Sequence, residues 1–311
     1  MSKENKNMSK KEEELREKYK PLVNLILNEP LIEQKPTLEA TSFIALESNP
    51  EGSIYYGTGL TTPRAIGVGL PFDVLGMVLV AERIKRTLGL KKIYHHIADT
   101  HAKTNEWIDP QEVDRQAKIT KETLMKVASN LKLSGFNVTL SSEFDGSLEY
   151  EELVRHFKSK SQEHEYVIRE MADMEWYRTK HGTSIKMGWI IQATEAPLGF
   201  DERLFDQEYR RIEGEKLSFV YTKPGRTLDL SRPKASPYIQ IADENRLLLE
   251  KGEDVKAKMD KAAQRMNDPH LGGARKHIEN IVRAYEKLFG TFSRLPLEEK
   301  IQAIIDKATS Q

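Results

Sequence analysis

Glu195 is the residue of this chain best placed to do chemistry. It stands in the apolar run Trp189-Ile-Ile-Gln-Ala-Thr-Glu195, just before the turn Pro197-Leu-Gly-Phe, and Asp201 and Glu202 follow at once. A carboxylate in apolar surroundings is costly unless it is paired or put to use. In a partly dry pocket Glu195 would serve as a general base toward an amine; its plainer role is a helix-end partner in a surface ion pair. Asp201 and Glu202 suit a clamp on a substrate ammonium, or first-turn acids favoured by a helix dipole.

A second group is Lys92-Ile-Tyr-His-His-Ile-Ala-Asp99 with His101. On a strand, His95 and Asp99 share one face and His96 points away. No HExxH-type spacing accompanies them, so no metal is expected. Asp99 would end its strand at the usual ligand crevice of a doubly wound sheet, which gives it and His101 a substrate role. Ahead of them, the loop Gly57-Thr-Gly-Leu-Thr-Thr-Pro-Arg-Ala-Ile-Gly-Val-Gly69 follows the strand Ile54-Tyr55-Tyr56. Backbone N–H groups there suit an anion, although the loop is neither GxGxxG nor a P-loop.

These groups need a scaffold, and the chain's patterning supplies one. With 311 residues, 38% hydrophobic and 31% charged, the sequence reads as a globular protein that easily builds a core. Lys+Arg and Asp+Glu both number 48, so nucleic acid must be met by a local patch. The absence of cysteine excludes disulfides and thiolate catalysis, and fits a reducing compartment. No apolar run has the length of a membrane span and no signal-peptide core opens the chain, so a cytoplasmic protein without membrane contact is expected.

Strands are expected at 54–56, 92–99, 136–140 and 216–221, with helices at 72–88, 110–133, 148–161 and 163–180. Their alternation implies a Rossmann-type doubly wound parallel sheet. Beyond Asp243 the reading is helix only, at 244–266, 274–289 and 296–309. Three parts are therefore expected: an N-terminal tail and helical extension (1–50), a catalytic domain (51–225) and a C-terminal helical region (226–311). On helix 110–133 the cations Arg115, Lys118, Lys121 and Lys126 oppose the apolar stripe. They suit nucleic-acid phosphates, or a solvated mixed-charge surface shared with Asp114 and Glu122.

Four segments together resemble a class I aminoacyl-tRNA synthetase of the tyrosyl/tryptophanyl subclass, over roughly residues 53–260. They are Ile97-Ala-Asp-Thr-His-Ala102, Ser142-Glu-Phe, Pro197-Leu-Gly-Phe-Asp-Glu with Arg210, and Ser236-Pro-Tyr-Ile-Gln-Ile-Ala-Asp243. The departures matter as much. Where that family carries its HIGH signature the chain has Gly67-Val-Gly-Leu70, and near its KMSKS loop stands Asp229-Leu-Ser-Arg-Pro233. Losing one such phosphate-stabilising donor costs ~3–4 kcal/mol. ATP-dependent adenylation is therefore expected to be suppressed, unless Lys234 takes the lysine's part.

The tRNA-dependent cyclodipeptide synthases share that scaffold without ATP, and three further segments resemble them. Trp189 to Glu195-Ala-Pro197 is similar to their aromatic-Glu-Pro signature, Ser218-Phe-Val-Tyr221 to their Ser-x-x-x-Tyr strand, and Gly67-Val-Gly-Leu-Pro-Phe-Asp73 to their first signature without its serine. The resemblance implies aminoacyl transfer from charged tRNA, with Glu195 as base, Tyr221 positioning substrate, and Thr61 (or Thr62) as nucleophile unless one aminoacyl-tRNA attacks the other directly. Tyr56, Gly57, Gly67, Gly69, Asp99, His101, Gln192, Asp201 and Glu202 would line the substrate crevice. Partners would be aminoacyl-tRNA and amino acids, with no cofactor, and a homodimer as is common in the subclass. An ATP-using ligase and a non-catalytic tRNA- or amino-acid-binding paralogue are the alternatives.

Overall fold

The computed structural model describes residues 11, 13–59, 70, 72–103, 109–189, 202–223, 247–248, 250–264, 269–292 and 294–310. In chain order these contain α1 (Lys20–Asn28), α2 (Gln34–Ala40), α3 (Phe43–Ser48), β1 (Ser53–Gly59), α4 (Phe72–Leu88), β2 (Lys92–Ala98), α5 (Asp99–Lys103), α6 (Pro110–Asn130) and β3 (Phe136–Leu140). Then follow α7 (Leu148–Lys160), α8 (Glu165–His181), β4 (Thr183–Trp189), α9 (Glu202–Glu213), β5 (Ser218–Thr222), α10 (Val255–Gln264), α11 (Pro269–Phe289) and α12 (Leu297–Thr309). Among the described residues no helix is long and apolar enough to cross a membrane.

The five strands form one parallel sheet in the order β3-β2-β1-β4-β5. The chain winds outward from β1 to β3, then returns to the other side of β1 for β4 and β5. That reversal makes the carboxyl ends of β1 and β4 the switch point where doubly wound sheets bind ligands. The expected Rossmann-type architecture is the observed one.

Alternation along the strands gives the sheet two unlike faces. Ile54, Tyr56, Ile93 and Ile97 join an aliphatic core with α4 and α6. Tyr55 and Tyr94 face an aromatic layer built with α7 and α8, including Phe144, Tyr150, Phe157 and Tyr177. Helix α4 is buried nearly all round, from Phe72 to Ile84, because it lies between the sheet and the C-terminal helices. Gly76 permits this: a Cβ there would stand 3.3 Å from Ile281 Cγ1 on α11. The aliphatic core thus contains residues from α1, the sheet, α11 and α12. The boundary expected near residue 225 falls outside the described residues, and this core draws on both sides of it.

Helix ends follow local chemistry. The Asp109 carboxylate accepts from Gln111 N at 2.9 Å with Pro110 in the first turn of α6. Helix α8 stops at Gly182, whose φ of 61° is the left-handed conformation that glycine adopts most cheaply.

Two elements differ from expectation: strand β4, and the helix expected over 244–266, which begins only at Val255 after a turn at 251–252. Strand β4 was not anticipated, because Lys186 interrupts its apolar run. The structure buries that lysine beside Asp206 of α9, with Nζ 3.3 Å from Oδ1. A paired charge lets a polar residue occupy a buried strand. Within the first 50 residues, where a tail and helical extension were expected, residues 20–48 form three short helices. The segment between α1 and α2 closes the β5 edge: Glu33 N donates to Tyr221 O and Lys223 N to Leu31 O, both at 2.8 Å. The Thr37 hydroxyl meets both the N–H and the C=O of Tyr221.

Because Ile281 is fully buried against α4, Ile281→Ala should lower the free energy of unfolding in urea by about 2–5 kcal/mol. Circular dichroism and tryptophan fluorescence should report one shared transition. A separate early transition would show that the C-terminal helices detach on their own.

Candidate functional site

The polar groups of interest converge where β2 passes into α5. Tyr94, His95 and His96 alternate across the sheet, so the two histidines meet opposite environments. His95 enters the aliphatic side, with its ring 4.7 Å from that of Tyr56 and 6.2 Å from that of Phe136. Burial, with the neighbouring His96 charge, drives its pKa down to about 3, so it is neutral.

His96 enters the aromatic side. Its Nδ1 lies 3.0 Å from the Tyr177 hydroxyl, and its Nε2 lies 3.0 Å from Ser141 Oγ and 3.3 Å from Asp173 Oδ2. Burial alone would lower its pKa, but the carboxylates of Asp173, Glu170 and Asp99 outweigh burial and raise it. Asp173, on α8, is fully buried. Burial opposes its ionisation, yet His96, His101 and a 2.7 Å hydrogen bond donated by the Tyr150 hydroxyl hold its carboxyl below the ordinary range. The result is a buried carboxylate facing an imidazole that favours its proton.

His101, on α5, brings Nε2 to 3.7 Å from Asp173 Oδ2 and sets its ring edge-on to Tyr166. Burial keeps its pKa below the usual histidine value. Glu170 completes the group: one ligand-type atom from each of His101, Glu170 and Asp173 lies within 4.8 Å of the others. Asp99 is buried at the start of α5, where Oδ1 accepts from Ser142 N at 3.0 Å. That bond ties β2 to the turn after β3.

The expected partition of the histidines needs correction. The strand ends at Ala98 and Asp99 begins a helical turn, so strand alternation does not carry through to Asp99. It is His96, not His95, that joins Asp99 and His101 on the polar side. Tyr56 lies in the aliphatic core on the opposite face, its buried hydroxyl without a hydrogen-bond partner. Gly57 is beside His96 in the register between β1 and β2. Tyr221 is buried in the aromatic layer on β5, and Glu202 opens α9. Thr61, Gly67, Gly69, Gln192, Glu195 and Asp201 lie outside the described residues. On α6, Arg115 pairs with Glu112 and Lys121 with Glu143, while Lys118 and Lys126 are exposed.

Sequence reasoning missed Tyr166, Glu170, Asp173 and Tyr177. Their signal was present: spacings of four, three and four place all four on one face of α8. Such a group can hold an ammonium or a metal dication, or pass a proton between Asp173 and an imidazole.

Neither a protein-family model nor a curated protein matches the sequence. Solved structures do match the fold. Tyrosyl-tRNA synthetase from Aeropyrum pernix superposes with a TM-score of 0.58 at 16% identity, covering 94% of this chain and 91% of that one. Plasmodium falciparum tryptophanyl-tRNA synthetase gives 0.55 at 11% identity, covering 96% and 87%. Tyrosyl-tRNA synthetase from Archaeoglobus fulgidus, complexed with L-tyrosine, gives 0.53 at 15%, covering 92% and 97%. The chain has the Rossmann-like fold of these class I synthetases, and at such identities the likeness is one of fold alone.

His95 generates a pH prediction. Its folded pKa of about 3 is below the unfolded value of 6.5, so the unfolded chain binds the extra proton and stability falls as pH drops through that window. His96, with a raised pKa, acts oppositely: its contribution is present in acid and lost as pH rises through the folded value. Between pH 6 and 4, His95→Phe should remove about 1.4 kcal/mol of lost stability per pH unit. Parallel urea curves for both proteins at each pH would test it; identical slopes would mean that the native His95 already carries the proton.

Proposed function

We propose that this chain transfers aminoacyl groups from charged tRNA on a class I synthetase scaffold, joining two amino acids into a cyclodipeptide without consuming ATP. The observation that carries the reading is the buried, ionised Asp173 with Glu170 and His101 at the carboxyl end of β2. An anionic group at the carboxyl end of β2, one strand from the switch point of a doubly wound sheet, suits the ammonium of an amino acid or of an aminoacyl ester. The sequence supports the rest. Glycines and Leu70 replace the histidines that would grip ATP phosphates, and Asp229 replaces a lysine, whereas an aminoacyl ester arrives already activated.

In this reading the α-amine of one aminoacyl-tRNA attacks the ester carbonyl of the other. The tRNA hydroxyl leaves, and Glu195 takes the amine proton. The free amine of the dipeptidyl ester then closes the ring and releases the second tRNA. Thr61 is the candidate for a covalent aminoacyl intermediate. Tyr221, Asp99, Gln192, Asp201 and Glu202 would position substrate with Tyr56, Gly57, Gly67 and Gly69 around the crevice. Arg115, Lys118, Lys121 and Lys126 would meet tRNA phosphates. Lys118 and Lys126 are the better exposed for that task.

A second reading, an ATP-using aminoacyl-tRNA ligase, is favoured by the fold itself, since the matched structures are synthetases. Two assays separate the readings. Incubation with a mixture of charged tRNAs should yield diketopiperazines detectable by mass spectrometry, and Glu195→Gln should cut the yield a hundredfold or more. Pyrophosphate exchange with each of the twenty amino acids should stay at background. Exchange above background would replace the transferase by the ligase, and silence in both assays would leave a binding protein.

A further inference from the structure

We propose that His101, Glu170 and Asp173 form a binding site for one divalent metal ion of the zinc class. It concerns the same three side chains on which the aminoacyl-transfer reading rests: an ion seated there would take the place of the substrate ammonium, and the metal titrations below decide it separately from any assay of transfer. Among the described residues this is the only group of three or more ligating side chains brought together closely enough to hold an ion. It comes from two elements: Glu170 and Asp173 are one turn apart on α8, and His101 approaches from α5.

The spacing fits an ion better than it fits direct bonds. His101 Nε2 and Asp173 Oδ2 are 3.7 Å apart, beyond hydrogen-bond distance. Zinc bound at roughly 2.0–2.2 Å from each ligand sets neighbouring ligand atoms roughly 3.3–3.5 Å apart. The His101–Asp173 pair would have to close by only a few tenths of an ångström, while Glu170, in a group whose ligand atoms lie within 4.8 Å of one another, would swing in to complete the set.

The carboxylate is already oriented for this. The Tyr150 hydroxyl donates to Asp173 Oδ1 at 2.7 Å, and Oδ2 is the oxygen nearest His101. A ligating carboxylate held by such an outer hydrogen bond is how metal sites fix their donors. His96 Nε2 also lies 3.3 Å from Oδ2, so an ion would share that oxygen with His96, whose Nε2 has Ser141 Oγ at 3.0 Å as a second partner. Glu170 is only half-buried, so its carboxylate is in part accessible to solvent.

The donor set selects the metal. One imidazole nitrogen with two carboxylates suits Zn²⁺, Co²⁺ or Mn²⁺, whereas Mg²⁺ and Ca²⁺ take oxygen donors. With no cysteine in the chain, thiolate-seeking ions have no rival site. Three protein ligands leave a coordination position for a substrate nitrogen or oxygen.

The full chain, stripped with EDTA, would be titrated with Co²⁺ while its visible absorption is followed, and with Zn²⁺ by calorimetry. One equivalent of each should bind with micromolar or tighter affinity, and Mg²⁺ should not displace it. His101→Ala and Glu170→Gln should each weaken Zn²⁺ at least tenfold, and Tyr150→Phe should do so by about 10–100-fold. His156→Ala, at a surface histidine paired with Glu213, should change nothing. Glu170→Gln replaces a half-buried side chain by its isostere, so it keeps the test decisive should His101→Ala fail to fold. The proposal is overturned if the wild-type chain takes up no stoichiometric ion, or if Glu170→Gln binds Zn²⁺ as tightly as wild type.

Discussion

A carboxylate buried in an aromatic layer is the constraint that organises this molecule. Asp173 lies among Tyr150, Tyr177 and Phe144, where an ion without partners would cost several kcal/mol. His96, His101 and Tyr150 supply those partners from β2, α5 and α7. Each of these elements must therefore be in register for any of them to be stable. The surrounding rings, such as Tyr55 stacked at 4.1 Å on Tyr177, keep water out and strengthen every charge interaction inside. The same low-dielectric setting that makes Asp173 expensive makes it a strong ligand for whatever cation reaches it.

The two sheet faces divide the work. The aliphatic side joins α1, α4, α11 and α12 into one core and holds His95 neutral between Tyr56 and Phe136. The aromatic side carries the titratable groups. A single strand, β2, feeds both faces through two consecutive histidines that titrate in opposite directions. Elsewhere buried charges are closed off: Lys186 meets Asp206, and Glu82 meets Lys85 and Arg86. The acids of those pairs are buried, whereas the carboxylate Glu170 beside Asp173 is half-buried.

Much of the fold was legible because its elements obey simple periods. The strands β1, β2 and β3 and helices α4, α6, α7 and α8 fall where alternation or the 3.6-residue stripe puts them, within a few residues. Strand β4 was hidden because the partner that makes Lys186 tolerable sits 20 residues away in sequence. A helical extension was expected ahead of the sheet, but the division into α1 to α3 was not read, because these helices are short and docked by tertiary contacts. Of the site, Asp99 was expected as the last residue of its strand and instead begins α5, and the histidine beside it was misassigned by one position. Asp173 escaped notice because its neighbours Glu165, Arg169 and Glu170 make that stretch of helix look solvated. Only the packing of α8 on the sheet turns one of those acids inward.

The seam between the N-terminal segment and β5 has a consequence for the exposed border of the sheet. Leu31, Glu33 and Thr37 occupy the backbone groups of Tyr221 and Lys223 that an outermost strand would otherwise present. A sheet border with free donors and acceptors is a template for foreign strands. By clasping that border with its own early residues, the chain blocks strand addition there in advance. Proteolytic loss of residues 31–37 would leave β5 adhesive, so the clasp is a guard against aggregation as well as a brace for the fold.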